Sequence, residues 1–173
     1  MKAMRVGTSR DSTGGQAMAN AGSRGVRWVA LALVAFALAA VVEAAGPYRF
    51  YPLTPCRVVD TRVGYGGVMT LGTVRTFTIK GASGCGVPTD AQAVSFNVTI
   101  NQPVMSGRAW LALYPSGTTW PGNSTINFAD TDTSLANGAI VPLGSMSSNE
   151  LSVTSMSKTG TVHLILDVNG YYK

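Results

Sequence analysis

Ala93-Val-Ser-Phe-Asn-Val-Thr-Ile100 is the stretch whose reading decides the fold. Val94, Phe96, Val98 and Ile100 take alternate positions, with Ser95, Asn97 and Thr99 between them. Successive side chains of an extended chain point to opposite faces, so this period of two describes a strand with one apolar and one polar face. Thr161–Asn169 repeats the pattern, setting Val162, Leu164, Leu166 and Val168 against Thr161, His163, Asp167 and Asn169. Shorter runs follow the same rule at Arg49–Leu53, Arg57–Thr61, Val74–Lys80, Arg108–Tyr114, Ser124–Phe128, Ala139–Leu143 and Leu151–Met156. Nowhere after residue 44 do apolar residues recur at helical spacing over a helix length.

Turn residues separate these runs: Gly64-Tyr-Gly-Gly67, Gly81-Ala-Ser-Gly84, Pro115-Ser-Gly117, Pro121-Gly-Asn123, Asn137-Gly138 and Lys158-Thr-Gly160. About nine strands without helical crossovers imply antiparallel pairing, so residues 45–173 are expected to form one all-β, antiparallel sandwich-like domain. No internal repeat interrupts it.

Toward the N-terminus, an uncharged apolar run from Trp28 to Val42 follows Arg24 and Arg27. Val42-Glu43-Ala44 then places compact residues at −3 and −1 of a cleavage site. Positive flank, apolar run and cleavage site together predict a secretory signal over residues 1–44, with Met4 and Met18 as alternative starts. The run is short for a spanning helix, which needs about 20 residues, although an uncleaved leader would make a membrane anchor. The expected address is therefore extracellular or at the cell surface. The chain has two cysteines, Cys56 and Cys85, both beyond the leader. In an oxidising compartment an even count suggests a disulfide, and only one intrachain pairing exists. Two buried thiols are the alternative.

Charge narrows the function classes. The net charge is +5, yet only 12% of the 173 residues are charged. Residues 1–44 hold five cations and two carboxylates, leaving a small, scattered excess of cations in residues 45–173. No basic run or stripe offers a footprint for phosphate, so nucleic acid is not an expected partner.

An ordered series of short motifs resembles a β-domain that recurs in secreted bacterial proteins. It comprises Tyr51-Pro-Leu-Thr-Pro-Cys-Arg-Val-Val-Asp-Thr-Arg62, Arg75-Thr-Phe-Thr-Ile-Lys-Gly81, Cys85-Gly-Val-Pro88 and Ala93–Thr99. Leu113-Tyr-Pro-Ser-Gly117, Ser124–Phe128, Ile140–Gly144 and Val162–Tyr171 continue it, so the likeness spans 48–173. That domain often stands in tandem or beside hydrolase and adhesion modules, without an assigned activity. The resemblance implies an accessory or structural role, and the single copy here departs from the tandem habit.

Candidate chemistry is sparse. His163 is the only histidine, and no Gly-x-Ser-x-Gly elbow accompanies it, so no catalytic triad is expected. Asp60 and Arg62 read as an ion pair or turn cap beside Cys56. Asp130-Thr-Asp132, with Asn127 upstream, offers oxygen ligands for calcium but lacks the glycine and closing glutamate of an EF-hand loop. Glu150 is the one glutamate after residue 44, which leaves no glutamate pair for glycoside hydrolysis. Asn97-Val-Thr and Asn123-Ser-Thr match a glycosylation sequon too short to carry an argument. No cofactor is expected.

The aromatic cluster is more informative. Along Arg108–Tyr114, alternation puts Leu111 and Leu113 on one face and Trp110, Ala112 and Tyr114 on the other. With the leucines inward, Trp110 and Tyr114 would join Trp120 of the next turn as an exposed platform for a sugar ring. The leading expectation is nevertheless a secreted, non-enzymatic structural or adhesive module, assembling with itself as an oligomer or filament through strand edges that carry few charged guards. A carbohydrate-binding module using Trp110, Tyr114 and Trp120 is the first alternative. An accessory domain of an extracellular hydrolase system is the second.

Overall fold

The computed structural model describes residues 47–145 and 149–173; the expected signal segment lies outside them. Two antiparallel sheets face each other. The first is built on β4 (Ala93–Val104), flanked by β9 (Thr161–Tyr172) and β7 (Ser134–Pro142). β1 (Phe50–Asp60) lies on the far side of β9, and the short β2 (Met69–Thr70) pairs with the start of β9 beyond the end of β1. The second sheet runs β3 (Arg75–Phe77), β8 (Leu151–Ser155), β5 (Arg108–Pro115), β6 (Ile126–Ala129). A single 3₁₀ turn at Ala82–Gly84 is the one helical element among the described residues. No helix there is long and apolar enough to cross a membrane.

The alternation in β4 has its expected consequence. Val94, Phe96, Val98 and Ile100 are wholly buried, while Ser95, Asn97 and Thr99 are half-buried on the outer face. β9 supplies Val162, Leu164, Leu166 and Val168 to the same core, and Phe77, Leu111, Leu113 and Val153 close it from the second sheet. Removing apolar area of this kind from water stabilises a fold by about 25 cal/mol per Å², which makes the inter-sheet core the main cohesive element. Cys56 and Cys85 form a disulfide that ties β1 to the segment after the 3₁₀ turn.

Most strands differ in extent from their expected limits: Val74–Lys80 shortens to Arg75–Phe77, β4 and β9 run on past Ile100 and Asn169, and two further differences shape the borders of the first sheet. Arg49–Leu53 and Arg57–Thr61 are not separate strands but parts of β1, which pairs with β9 through two register shifts, Pro52/Cys56 and Arg57/Val59. Pro52 and Pro55 have no N–H to give a ladder, so an edge position with local irregularity suits them. β7 begins at Ser134, five residues earlier than the alternation around Ala139 suggests. Asn137-Gly138 is no turn. Both residues pair in register with β4, opposite Val98 and Asn97, because the 12-residue β4 offers a partner along the whole stretch.

Candidate functional site

Three regions carry the polar and aromatic residues that chemistry would use. The first lies on the outer face of the second sheet. Trp110 of β5 sits directly opposite Asn127 of β6. The segment after β5 turns back through Thr118, whose hydroxyl donates to the Pro115 carbonyl at 2.7 Å, and lays Trp120 on Trp110. The rings stack at 4.9 Å with 17° between their planes. Trp120 Nε1–H donates to the Asn123 carbonyl at 2.8 Å, and Thr125 N–H donates to the Leu111 carbonyl at 2.8 Å, which anchors the returning segment. A cleft of about 440 Å³ opens beside Trp110, lined by Arg108, Asn127, Phe128, Asp132 and Met156 among others.

Leu111 and Leu113 do face the core, the condition on which an outward Trp110 rested. Tyr114, however, is 6% exposed and Ala112 is fully buried, so Tyr114 is no part of an exposed platform. Alternation names the face of a strand, but not what lies over it. Ser116 is buried here with Ser152, their hydroxyls 2.7 Å apart, and Ser152 sits opposite Tyr114 in the ladder. Of the three expected platform residues, Trp110 and Trp120 form the stacked pair, with Trp120 39% exposed.

The second region surrounds the disulfide. Arg62 Nε–H and Nη2–H donate to the two oxygens of Asp60 at 2.9 and 2.7 Å, and Arg62 N–H adds a bond of 3.1 Å. Arg57 reaches across to β9, donating to Asp167 at 2.8 and 3.1 Å, and also approaches Asp60 at 3.3 Å. These charge-assisted bonds, those from Arg62 foremost, hold the Asp60 carboxyl down to about 2. Asp60 itself is buried. His163 lies close by, its Nδ1 3.1 Å from the Thr61 hydroxyl, which in turn accepts the Leu164 N–H at 2.8 Å. Asp60 thus acts as a cap and ion-pair centre at the end of β1.

Asp130 and Asp132 spend an oxygen each on the backbone, accepting the N–H of Gly107 at 2.6 Å and of Ala129 at 2.7 Å. Among the described residues no three acidic, histidine or cysteine side chains come together as a metal would require. One polar residue had no role in the sequence. Glu150 is fully buried, and its Oε2 accepts the N–H of Ile79 at 2.9 Å and of Lys80 at 3.4 Å. Its other oxygen meets no partner among the described residues. The partners lie about seventy positions away in sequence, and no local pattern announces them.

The third region is an edge. β7 ends the first sheet, with β4 on one side and no described strand on the other. Leu143 N–H donates to the Gln92 carbonyl at 2.8 Å, and Gln102 N–H to the Thr133 carbonyl at 3.0 Å, bracketing the ladder at both ends. Hydrogen-bonded pairs alternate with non-bonded ones in antiparallel sheets, so the odd-numbered residues of β7 bond to β4. The backbone groups of Ser134, Ala136, Gly138, Ile140 and Pro142 therefore point away from the sheet. The strand reads Ser-Leu-Ala-Asn-Gly-Ala-Ile-Val-Pro and bears no charge. Every residue but Ala139 and Val141 is exposed, Ile140 to 60%. No protein-family model and no curated protein matches the chain.

Proposed function

We propose that this protein is a secreted, non-enzymatic structural or adhesive module of the cell surface, working through the open edge at β7 rather than through a catalytic pocket. One observation carries the reading: a nine-residue, uncharged edge strand whose outward backbone groups, lacking an N–H only at the terminal Pro142, face no described strand. Natural edges of that length are ordinarily broken by proline, bulges or lysine, and one left plain is a template for another strand. The disulfide fits the oxidising compartment to which the leader would send the chain. The likeness to a β-domain found beside adhesion modules points the same way. Retention at the envelope tests it. The fraction of exported protein that sediments with the producing cells should fall sharply for Ile140→Lys and hold for Trp110→Ala. Unchanged retention of Ile140→Lys would remove the edge from the function.

A second reading, glycan binding at the Trp110 cleft, has its own observation. The side chains of Arg108 and Asn127 line that cleft beside the indole stack and make no hydrogen bond or ion pair among the described residues. Donors beside an aromatic face suit a sugar ring. Trp120→Ala should then weaken binding on a glycan array while the fold persists, and an array blank for the unaltered protein would end this reading.

A further inference from the structure

We infer that β7 pairs with β7 of a second copy, antiparallel about a two-fold axis through Gly138, and that this assembly closes as a dimer instead of growing into a filament. The inference rests on the edge reading above and adds the occupant, the register and the stoichiometry.

The register follows from the strand itself. Gly138 is the midpoint of Ser134–Pro142. An axis there places Ile140 opposite the partner's Ala136, Val141 opposite the partner's Leu135, and Pro142 opposite the partner's Ser134. All residues with outward backbone groups then meet residues of the same kind, as a bonded antiparallel pair requires. The side chains are complementary in size. On the outer face each Ile140 lies over the small Ala136 and Gly138 of the other copy, which covers the most exposed apolar residue of the strand. On the inner face Leu135, 38% exposed, meets an aliphatic neighbour. No like charges oppose each other, because the strand has none. Pro142 falls at the last position, where the missing N–H costs only a terminal bond.

Closure follows from the other edges. A filament needs two different exposed edges that fit each other, whereas one self-complementary edge yields a closed two-fold pair. β1, the opposite edge of the same sheet, carries Pro52, Pro55 and two register shifts. β6 has four residues. β3 has three, and its Arg75 guanidinium donates to the carbonyls of Gly67 and Val68 at 2.7 and 3.0 Å, drawing that loop over it. Among the described edges only β7 is both long and regular, its one side-chain tie being the Asn137 amide on the Thr125 carbonyl at 2.8 Å.

Cysteine placement tests the register. Opposite residues in a bonded antiparallel pair have Cα atoms about 5.5 Å apart, within reach of a disulfide. Gly138 has open space where a side chain would go, and its backbone does not need glycine. Gly138→Cys in the exported protein should therefore form a reducible covalent dimer under mild oxidation. Ala136→Cys should not, since its two copies would stand about 13 Å apart along the strands. Sedimentation equilibrium of the unaltered protein should give a dimer and nothing larger, with Ile140→Lys weakening it at least about tenfold. A monomer at all concentrations, an open series of larger species, or equal cross-linking by the two cysteine variants would overturn the inference. A monomer still retained on cells would leave the surface reading standing, whereas a dimer that is not retained would sink that reading alone.

Discussion

The two borders of the first sheet, β1 and β7, are built on opposite plans. β1 is fastened at every level: prolines at positions 52 and 55, two bulges in its pairing with β9, a disulfide at Cys56, and the Arg57–Asp60–Arg62–Asp167 cluster over its end. β7 has only a terminal proline, Pro142, and one side-chain tie, from the Asn137 amide to the Thr125 carbonyl at 2.8 Å. It lies in unbroken register with β4 from Ser134 to Pro142, and its exposed side chains are small or aliphatic. The difference teaches that the sheet spends its stabilising devices on one border and leaves the other plain. Both borders hang on the same β9–β4 centre, but β1 also buries Val58 and Val59 where β7 buries Val141.

The largest test of that contrast removes the covalent tie. Cys56→Ser with Cys85→Ser should lower stability by roughly 3–4 kcal/mol, from the chain entropy of a closed loop of this length. Denaturant unfolding reads it directly, and a loss under about 1 kcal/mol would show that β1 does not depend on its bridge. Next comes Asp60. Its carboxyl is held near 2, against an ordinary value of 3.8, so its contribution is complete above about pH 5 and drains away as the pH falls through 4 and 2. The loss amounts to about 1–2 kcal/mol, because the guanidinium heads around it stand partly in water. Asp60→Asn should flatten that acid limb in a pH series of melts. If the limb persists unchanged, another group is responsible.

Arg57→Ala ranks third. The pair with Asp167 is two-pronged but exposed, which limits the effect to about 0.5–1 kcal/mol and makes it shrink in salt. A salt-independent loss would point to the packing of the arginine stem instead. The smallest effect on stability is expected at the bare border. Ile140→Lys should shift the unfolding midpoint of the monomer by less than about 0.5 kcal/mol, since exposed substitutions away from caps and cores seldom do more. A large loss there would mean that β7 is a cohesive element after all.

Much of this was legible along the chain. The alternation at Ala93–Ile100 and Thr161–Asn169 defined the two central strands, and parity along Arg108–Tyr114 turned Leu111 and Leu113 inward and set Trp110 beside Trp120. Parity was silent about the burial of Tyr114, whose ladder partner Ser152 comes from a strand far along the chain. Asn137-Gly138 misled for a related reason: a turn dipeptide makes a hairpin only when its own flanks pair, and here a longer neighbour claimed them both. Arg57 and Asp167 stand 110 positions apart, and Glu150 is bonded 71 positions from Ile79. Spacing rules of a few residues cannot reach such pairs.

The Cys56–Cys85 bridge also has a mechanical meaning. β1 and β9 enter and leave side by side, with Arg49 and Lys173 exchanging backbone bonds of 2.9 and 3.2 Å. A load drawn between those ends would peel β1 from β9 one bond at a time, starting at Phe50. On reaching Cys56 the tension passes through sulfur to Cys85, and the loop between them, which spans a sequence separation of 29, carries none of it. That hidden length is roughly 100 Å of extended chain. Single-molecule extension of the oxidised and reduced protein should differ by that amount, which makes the bridge a limit on how far the domain gives when pulled.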